Sequence, residues 1–448
     1  MRASDEVQCG SGDVGARGQA PSETARRLDE VGLPRRQPFA NKGRRPQEAP
    51  PVISVNPAFA RIGEENAFAV LAKAAELQRR GHDIVNLGIG QPDFKTPPHI
   101  VEAAVKALRD GEHGYTDATG IAPLREAVSE DLQRRLGVEV SPDLVLITPG
   151  GKVAMFMAIL MFGVPGADIL YPDPGFPIYR SMIEFTGARP IPAPMREEHG
   201  FAFSAEEALK LMTPETRLVI LNSPANPTGG VTPSDEIDKL VVGLAGFPNA
   251  AILSDEIYGQ LTYDGLAHQS LLAYPEIRDR LILLDGWSKT YAMTGWRLGF
   301  SVWPRLWREL ARKLAVNSYS CVNSAAQFAG IAALRGPQDS VAAMRDEFDR
   351  RRKAVVAGLN RLPGVSAVTP KGAFYAFPNV ARTGWKAKPL ASALLEEAGV
   401  AVISGPDFGV FGEGYLRLSY ANSLDNIERA LARMQDFLSL RASASARA

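Results

Sequence analysis

Short apolar segments alternate with helical patterns through the middle of the chain, and this alternation restricts the fold more than any other feature of the sequence. Segments that read as buried strands begin at residues 144, 168, 217, 250, 280 and 297. Helical patterns lie between them at 152–163, 177–186, 233–245 and 305–315. Strands that are apolar along their whole length are typical of a sheet with both faces covered, and intervening helices favour parallel strands. The pattern therefore predicts an α/β fold with a mostly parallel sheet covered by helices on both faces.

The chain has 448 residues, which predicts more than one domain because a single core rarely grows so large. Residues 1–52 are rich in Gly, Pro, Arg, Gln and Glu without apolar periodicity, which predicts a disordered polar extension. We interpret residues 53–96 as an N-terminal arm with a helix of a small domain at 66–81. The alternating segments make residues 97–335 the predicted large domain. A long charged helix then opens a smaller α+β domain at 336–448.

Charge and composition exclude several classes of function. Lys and Arg (50) balance Asp and Glu (50) without a basic block, so neither nucleic acid nor a membrane surface is an expected partner. The two cysteines, Cys9 and Cys321, form no CxxC pair, which fits a reducing compartment. The longest apolar run, from Val153, is too short to span a bilayer, and the N-terminus has no hydrophobic signal core. We therefore expect a cytoplasmic protein.

Polar side chains follow the predicted strands at the points where each strand ends. Asn226 follows the strand from residue 217, and Asp255 and Tyr258 follow the strand from residue 250. Lys289 follows the strand from residue 280, and Arg297 comes eight residues later. Each has an ordinary structural explanation when taken singly. Ligands of open α/β sheets, however, bind beyond the carboxyl ends of the strands, so these five side chains are candidates for one site.

In this chain order the five residues resemble the class I/II pyridoxal-phosphate (PLP)-dependent aminotransferases, which have the aspartate-aminotransferase-like fold type I. The Ser288-Lys289 pair with Gly-Trp-Arg-Leu-Gly at 295–299 is specific to that group, and the resemblance runs from about Ile84 to the C-terminal helix. It implies PLP as the cofactor, bound in the large domain. It also implies a homodimer that moves an amino group from an L-amino acid to 2-oxoglutarate.

The resemblance assigns catalytic roles to three residues. Lys289 would form a Schiff base with the cofactor aldehyde and then shuttle a proton. Asp255 would keep the pyridine nitrogen protonated, because a buried carboxylate favours a cation beside it. Tyr258, together with Asn226, would donate hydrogen bonds to the phenolate oxygen of the cofactor.

The remaining cofactor ligands come from several segments. Ser288 and Arg297 would bind the phosphate, joined by Gly151 and Lys152, whose backbone N–H groups begin an apolar helix. Phe176 would stack on the pyridine ring, with core packing as its alternative role. The resemblance further implies that Tyr115 reaches the phosphate of the partner subunit.

The substrate residues implied are Gly90, Asn226, Arg417 and Lys152. Gly90 would offer a backbone N–H, and Arg417, which lies in an otherwise apolar strand, would bind the α-carboxylate. The Lys152 ammonium would bind the second carboxylate of an acidic donor, which makes aspartate the favoured donor. If Lys152 is instead a solvated lysine, alanine or aromatic donors fit as well, since "SYSCVNSAAQ" from residue 318 offers no arginine for a distal carboxylate.

One position departs from the family pattern: Gly286 stands where many relatives have a phosphate-binding serine. No metal is expected, because the histidines are scattered and read as surface or local structural residues: His82, His99, His113, His199 and His268. Two other classes of function stay open. One is a PLP-dependent β-lyase or cyclopropane-forming synthase on the same fold. The other is a regulator with an aminotransferase-like domain, which residues 1–52 disfavour because they hold no helix-turn-helix pattern.

Overall fold

Twelve strands occur in the computed structural model, which describes residues 54–63 and 66–445, with side chains to 441. The predicted disordered extension, 1–52, lies outside the described residues. The strands are β1 (Val85–Asn86), β2 (Val145–Thr148), β3 (Asp168–Asp173), β4 (Arg189–Pro194), β5 (Thr216–Asn222), β6 (Ala251–Asp255), β7 (Leu281–Gly286), β8 (Gly299–Val302), β9 (Tyr375–Ala376), β10 (Val400–Ala401), β11 (Ile403–Ser404) and β12 (Leu416–Ser419).

Seven of these strands form one sheet in the order β2-β8-β7-β6-β5-β3-β4. The neighbours from β7 through β6, β5 and β3 to β4 are parallel. Strand β8 is antiparallel to both β2 and β7. The prediction of a mostly parallel sheet is confirmed, and all six predicted strands belong to it.

Thirteen α-helices lie in the same described part of the chain. They are α1 (Asn66–Arg79), α2 (Pro98–Arg109), α3 (Ala122–Leu136), α4 (Gly151–Phe162), α5 (Pro177–Thr186), α6 (Ala205–Leu211), α7 (Ser234–Gly243), α8 (Trp287–Thr290), α9 (Arg305–Ser318), α10 (Ser324–Arg335), α11 (Asp339–Leu359), α12 (Ala387–Glu396) and α13 (Leu424–Ser445). The helices predicted between the strands correspond to α4, α5, α7 and α9, with ends that differ by at most three residues.

Alternate residues of the central strands pack against different helices. On β5, Val219 and Leu221 belong to a core cluster that includes buried residues of α2, α3, α6, α7 and α10. The neighbouring residues Leu218 and Ile220 belong to a second cluster with α4, α5 and α9. Because successive side chains of a strand point to opposite faces, helices cover both faces of the sheet, as predicted.

The sequence analysis missed β4, whose sequence is Arg-Pro-Ile-Pro-Ala-Pro. Proline has no N–H to donate and is therefore found at sheet edges, and β4 is an edge strand. The backbone N–H of Arg189 donates to the carbonyl of Ala167, just before β3, and that of Met195, just after β4, donates to the carbonyl of Asp173, at 2.8 Å each. The prolines occupy the alternate positions, so their missing donors fall on the open side of the strand.

A third core cluster joins the C-terminal region to the start of the fold. It holds buried residues of α11, α12 and α13 together with Val85 and Leu87. Strand β1 pairs with β10 in parallel, which brings the N-terminal segment to the C-terminal strands. The boundaries of the large and small domains stay a prediction.

None of the helices in 66–445 is both long and apolar enough to cross a membrane. Across the described residues, no three His, Cys, Asp or Glu side chains are grouped so that they could hold a metal ion.

Candidate active site

A cavity of about 530 Å³ opens where β5, β6 and β7 end, which is a volume typical of small-molecule sites. Eleven of the residues proposed from the sequence line it: Gly90, Gly151, Lys152, Phe176, Asn226, Asp255, Tyr258, Ser288, Lys289, Arg297 and Arg417. Tyr115 is the exception. It belongs to the segment that connects α2 to α3 and is 94% exposed.

Lys289 lies on the short helix α8, which follows β7 directly. The side chain is partly buried, and Nζ donates a hydrogen bond to the carbonyl of Gly90 at 2.6 Å. Nζ also lies 5.9 Å from the ring centre of Tyr258 and 5.7 Å from that of Phe374. The amine is therefore held inside the cavity between aromatic rings.

Asp255 is the last residue of β6, and its carboxylate is buried. Burial raises the pKa of Asp255 to about 6, although a hydrogen bond from the Tyr179 hydroxyl opposes this shift. That hydroxyl donates to Oδ2 at 2.6 Å, and the backbone N–H of Ile257 donates to Oδ1 at 3.3 Å. A cationic group placed beside this carboxylate would favour its charged form.

The sequence analysis did not assign Tyr179 to the site, although the hydroxyl sets the orientation of Asp255. A signal was present, because Tyr179 lies three residues after Phe176 at the start of α5. Residues at this spacing share one face of a helix. Both side chains line the cavity, and their rings meet edge to face at 5.8 Å.

Helix α4 begins at Gly151, and its N-terminus forms one end of the cavity together with Ser288 and Arg297. The first N–H groups of a helix have no partner within the helix and carry a partial positive charge. Gly150 precedes the helix with φ 87°, and a Cβ there would collide with the Arg297 guanidinium. The same guanidinium donates to the carbonyls of Thr294 at 2.9 Å and Pro149 at 3.3 Å. This end of the cavity is suited to an anion.

Arg417 lies on β12 and is 2% exposed. It donates from Nη1 to the amide oxygen of Asn226 at 3.2 Å and from Nη2 to the carbonyl of Gly88. Its guanidinium also lies 4.8 Å from the ring centre of Tyr375 and 4.7 Å from that of Phe408. Because the Asn226 oxygen accepts from Arg417, the Asn226 amide nitrogen is the group that can donate elsewhere.

Lys152 and Phe176 lie together with Phe68 of α1 along the cavity wall. The Lys152 side chain is exposed, and Nζ lies 5.1 Å from the ring centre of Phe176 and 6.0 Å from that of Phe68. An ammonium group in this position adds positive charge to an otherwise aromatic surface.

The structure also shows the surroundings of Gly286 and of the histidines. A Cβ at Gly286 would lie 2.8 Å from the Cα of Gly299 on β8, so a serine side chain has no room at this position. The His268 side chain is 7% exposed and shares a hydrogen bond of 2.7 Å with Glu256, as expected of a local structural residue. His82, His113 and His199 are exposed, and His99 is partly buried.

Comparison with known proteins identifies the family. The family model described as aminotransferase class I and II matches residues 82–434. The chain belongs to this family. As an aminotransferase it is an enzyme, and the fold predicted from its sequence is the fold of its solved relatives.

The aminotransferase matches several relatives over nearly their whole length. It is 37% identical over 382 residues to the aspartate aminotransferase of Geobacillus stearothermophilus, covering 84% of this chain and 96% of the relative. It is also 37% identical over 371 residues to aromatic-amino-acid aminotransferase 2 of Thermococcus litoralis, covering 82% of this chain and 95% of the relative. The solved structure of the aspartate aminotransferase from Thermus thermophilus with maleate matches with a TM-score of 0.82 and 34% identity. The match covers 86% of this chain and 99% of the solved chain.

Proposed function

We propose that this aminotransferase binds PLP in the cavity and moves an amino group from an L-amino acid, with aspartate favoured, to 2-oxoglutarate. The observation that carries the proposal is that Lys289, the buried carboxylate of Asp255 and the anion-binding end at α4 line one cavity. An aldehyde, a pyridine nitrogen and a phosphate require these three groups. The glycines support the fit, since a Cβ at Gly90 or Gly150 would enter the space of a neighbouring side chain.

When bound, PLP supplies an aldehyde and a ring that accepts electrons. Lys289 would hold the cofactor through Nζ, and the same amine would take the proton from the substrate Cα and return it across the C–N bond. Asp255 would keep a proton on the pyridine nitrogen. Tyr258 and Asn226 would donate hydrogen bonds to the phenolic oxygen.

The same proposal assigns the phosphate to the N-terminus of α4. The backbone N–H groups of Gly151 and Lys152, the Ser288 hydroxyl and the Arg297 guanidinium would bind it. Phe176 would pack against the ring and keep water from that face.

For the substrate, Arg417 would bind the α-carboxylate beside the backbone of Gly90, and Lys152 would bind the second carboxylate of aspartate. Two observations support an acidic donor. The Geobacillus relative is named an aspartate aminotransferase, and the Thermus relative was solved with maleate, which is a dicarboxylate. An aromatic donor is the second candidate. Phe68 and Phe176 offer apolar contacts around Lys152, and the Thermococcus relative is named for aromatic amino acids.

Replacement of Lys152 by alanine should separate these donors. Loss of a charge-assisted contact costs about 1.5–3 kcal/mol, so kcat/KM for aspartate should fall roughly ten- to a hundredfold while kcat/KM for alanine changes little. Steady-state kinetics with both donors measure this difference. Lys388→Ala removes an exposed lysine of α12 outside the cavity and serves as the control. Equal losses for both donors would mean that Lys152 serves only the cofactor.

The reaction class is tested with purified enzyme, PLP and a panel of amino acids. Formation of a 2-oxo acid should require both the amino acid and 2-oxoglutarate, and glutamate should appear in equal amount. Release of ammonia or a thiol from the amino acid alone would instead support the β-lyase alternative.

We further propose a homodimer whose sites are completed by Tyr115 of the partner subunit. The exposure of Tyr115 and its absence from the cavity lining support this role. Tyr115→Phe should weaken PLP binding roughly ten- to a hundredfold, as expected for a lost hydrogen bond to a phosphate.

Mixing Tyr115→Phe subunits with Lys289→Ala subunits at limiting PLP should then restore activity. Random exchange leaves about one quarter of all sites with both native residues. Activity that never exceeds that of the two parents would contradict shared sites. The cytoplasmic location stays a prediction, and we also propose a biosynthetic role in amino acid metabolism.

A further inference from the structure

Tyr375 lies between the groups proposed for the cofactor and those proposed for the substrate. It is on β9, is 1% exposed and lines the cavity. Its hydroxyl is 2.8 Å from the Tyr258 hydroxyl, and its ring centre is 4.8 Å from the Arg417 guanidinium. Nothing in the sequence motifs pointed to this residue.

The backbone at Gly90 leaves the room that the Tyr375 hydroxyl occupies. A Cβ on Gly90 would collide with that hydroxyl and would lie 3.0 Å from the ring carbon that bears it. The carbonyl of Gly90 accepts the hydrogen bond from Lys289 Nζ at 2.6 Å. Tyr375 is therefore packed against the segment that holds the lysine as well.

The direction of the hydrogen bond between the Tyr258 and Tyr375 hydroxyls follows from the single proton that each hydroxyl carries. A tyrosine hydroxyl carries one proton and can accept from another donor. Burial and the neighbouring Tyr375 raise the pKa of Tyr258 well above its usual value, which keeps the Tyr258 hydroxyl protonated at physiological pH. If Tyr258 donates its proton to the cofactor, the bond of 2.8 Å has to be donated by Tyr375.

The ring of Tyr375 limits the remaining freedom of Arg417. The guanidinium donates from Nη1 to Asn226 and from Nη2 to the carbonyl of Gly88. The faces of Tyr375 and Phe408 constrain the plane in which the guanidinium presents its other donors. A carboxylate bound in two-pronged fashion needs this plane to be defined.

We propose that Tyr375 is a positioning residue that aims the Tyr258 proton at the cofactor through its hydroxyl and orients Arg417 through its ring. The inference rests on the proposed function. Its two parts are separable, because phenylalanine removes only the hydroxyl, whereas methionine fills a similar volume without an aromatic face.

The hydroxyl is tested by the visible absorbance of the PLP-loaded protein as a function of pH. In Tyr375→Phe the Tyr258 hydroxyl loses the donor that orients it and donates less well to the cofactor oxygen. More negative charge then stays on the cofactor oxygen, and this charge favours a proton on the adjacent Lys289 nitrogen. The pH midpoint of the absorbance change should therefore rise by about half to one pH unit. The double variant Tyr258→Phe/Tyr375→Phe should titrate like Tyr258→Phe alone, since Tyr375 acts through Tyr258.

The ring is tested by the KM of the amino donor. Tyr375→Phe keeps the face over Arg417 and should leave KM within about twofold, whereas Tyr375→Met should raise it roughly fivefold. Thermal melting of each variant, compared with wild type, verifies that the cavity is intact.

A Tyr375→Phe spectrum that titrates as wild type would overturn the role of the hydroxyl, and equal KM values for the two variants would overturn the role of the ring. A wild-type protein that gains no visible absorbance with PLP would overturn the proposed function itself, so the two failures are distinguishable.

Discussion

Lys289→Ala should lower the turnover of the enzyme by roughly four orders of magnitude, because both the covalent attachment of the cofactor and general-base proton transfer depend on its amine. The position of Nζ supports this role of Lys289. It lies inside the cavity, 2.6 Å from the carbonyl of Gly90 and beside the aromatic rings of Tyr258 and Phe374. The other lysine that lines the cavity, Lys152, is exposed and lies with Phe176 and Phe68.

Borohydride reduction of the PLP-loaded protein measures the attachment independently of activity. Peptide mass mapping should find the reduced cofactor on the peptide that contains Lys289. Lys152→Ala is the matched control, since it removes the second lysine of the cavity and should leave labelling unchanged. Labelling of any other lysine in the wild-type protein would refute the assignment, whatever the turnover of the variant.

Much of the site could be predicted because polar residues at strand ends are a local feature of the sequence. Asn226, Asp255 and Lys289 each follow an apolar segment within a few residues. The carboxyl ends of parallel strands meet at one edge of a sheet, so these side chains converge even though they are far apart in the chain. The structure brings them to one cavity for this reason.

The residues that the sequence analysis missed act through contacts between distant segments. The Tyr179 hydroxyl bonds to Asp255, 76 residues away, and Tyr375 bonds to Tyr258, 117 residues away. Tyr179 lies six residues beyond the end of β3, inside α5, and Tyr375 lies on β9 of a smaller sheet. A tyrosine in an apolar segment reads as core, and its partner is known only once the segments are packed together.

Strand β4 was missed for a different physical reason. Its three prolines lack the backbone N–H groups that pair strands in a sheet, so the sequence is typical of a loop. An edge strand, however, needs such donors on one side only. The predicted strands, in contrast, lie inside the sheet or hold continuous apolar side chains. Sequence patterns thus report buried strands better than edge strands.

Asp255→Asn should produce the second large loss of activity. Asparagine has the shape of aspartate and can still accept the hydrogen bond from Tyr179, so the fold should be retained. The charge that would keep a proton on the pyridine nitrogen is lost. Removing one partner of a buried ion pair costs about 3–5 kcal/mol. At 1.36 kcal/mol per factor of ten, kcat should fall by roughly two to four orders of magnitude.

A second buried strand-end carboxylate provides the matched control. Asp285 lies on β7, where burial raises its pKa to about 7 against the opposing charge of Arg135. It contacts Arg135 at 3.2 Å and does not line the cavity. Asp285→Asn removes the same charge from a comparable environment, so it should reduce thermal stability and leave kcat within about tenfold of wild type.

The measurement for Asp255 separates binding from chemistry. PLP affinity, followed by the visible absorbance of the reconstituted protein, should fall less than kcat in Asp255→Asn, because the phosphate contacts at α4 and Arg297 stay in place.

The pH dependence gives a second readout. In the apoprotein, burial holds the pKa of Asp255 near 6, so the charged carboxylate is lost as pH falls through that value. A cationic nitrogen beside Asp255 should lower this pKa, and the acidic limb of kcat should therefore lie below pH 6 in the wild type. Near wild-type turnover in Asp255→Asn, or the same loss in Asp285→Asn, would mean that the carboxylate at the end of β6 supports the fold rather than the reaction.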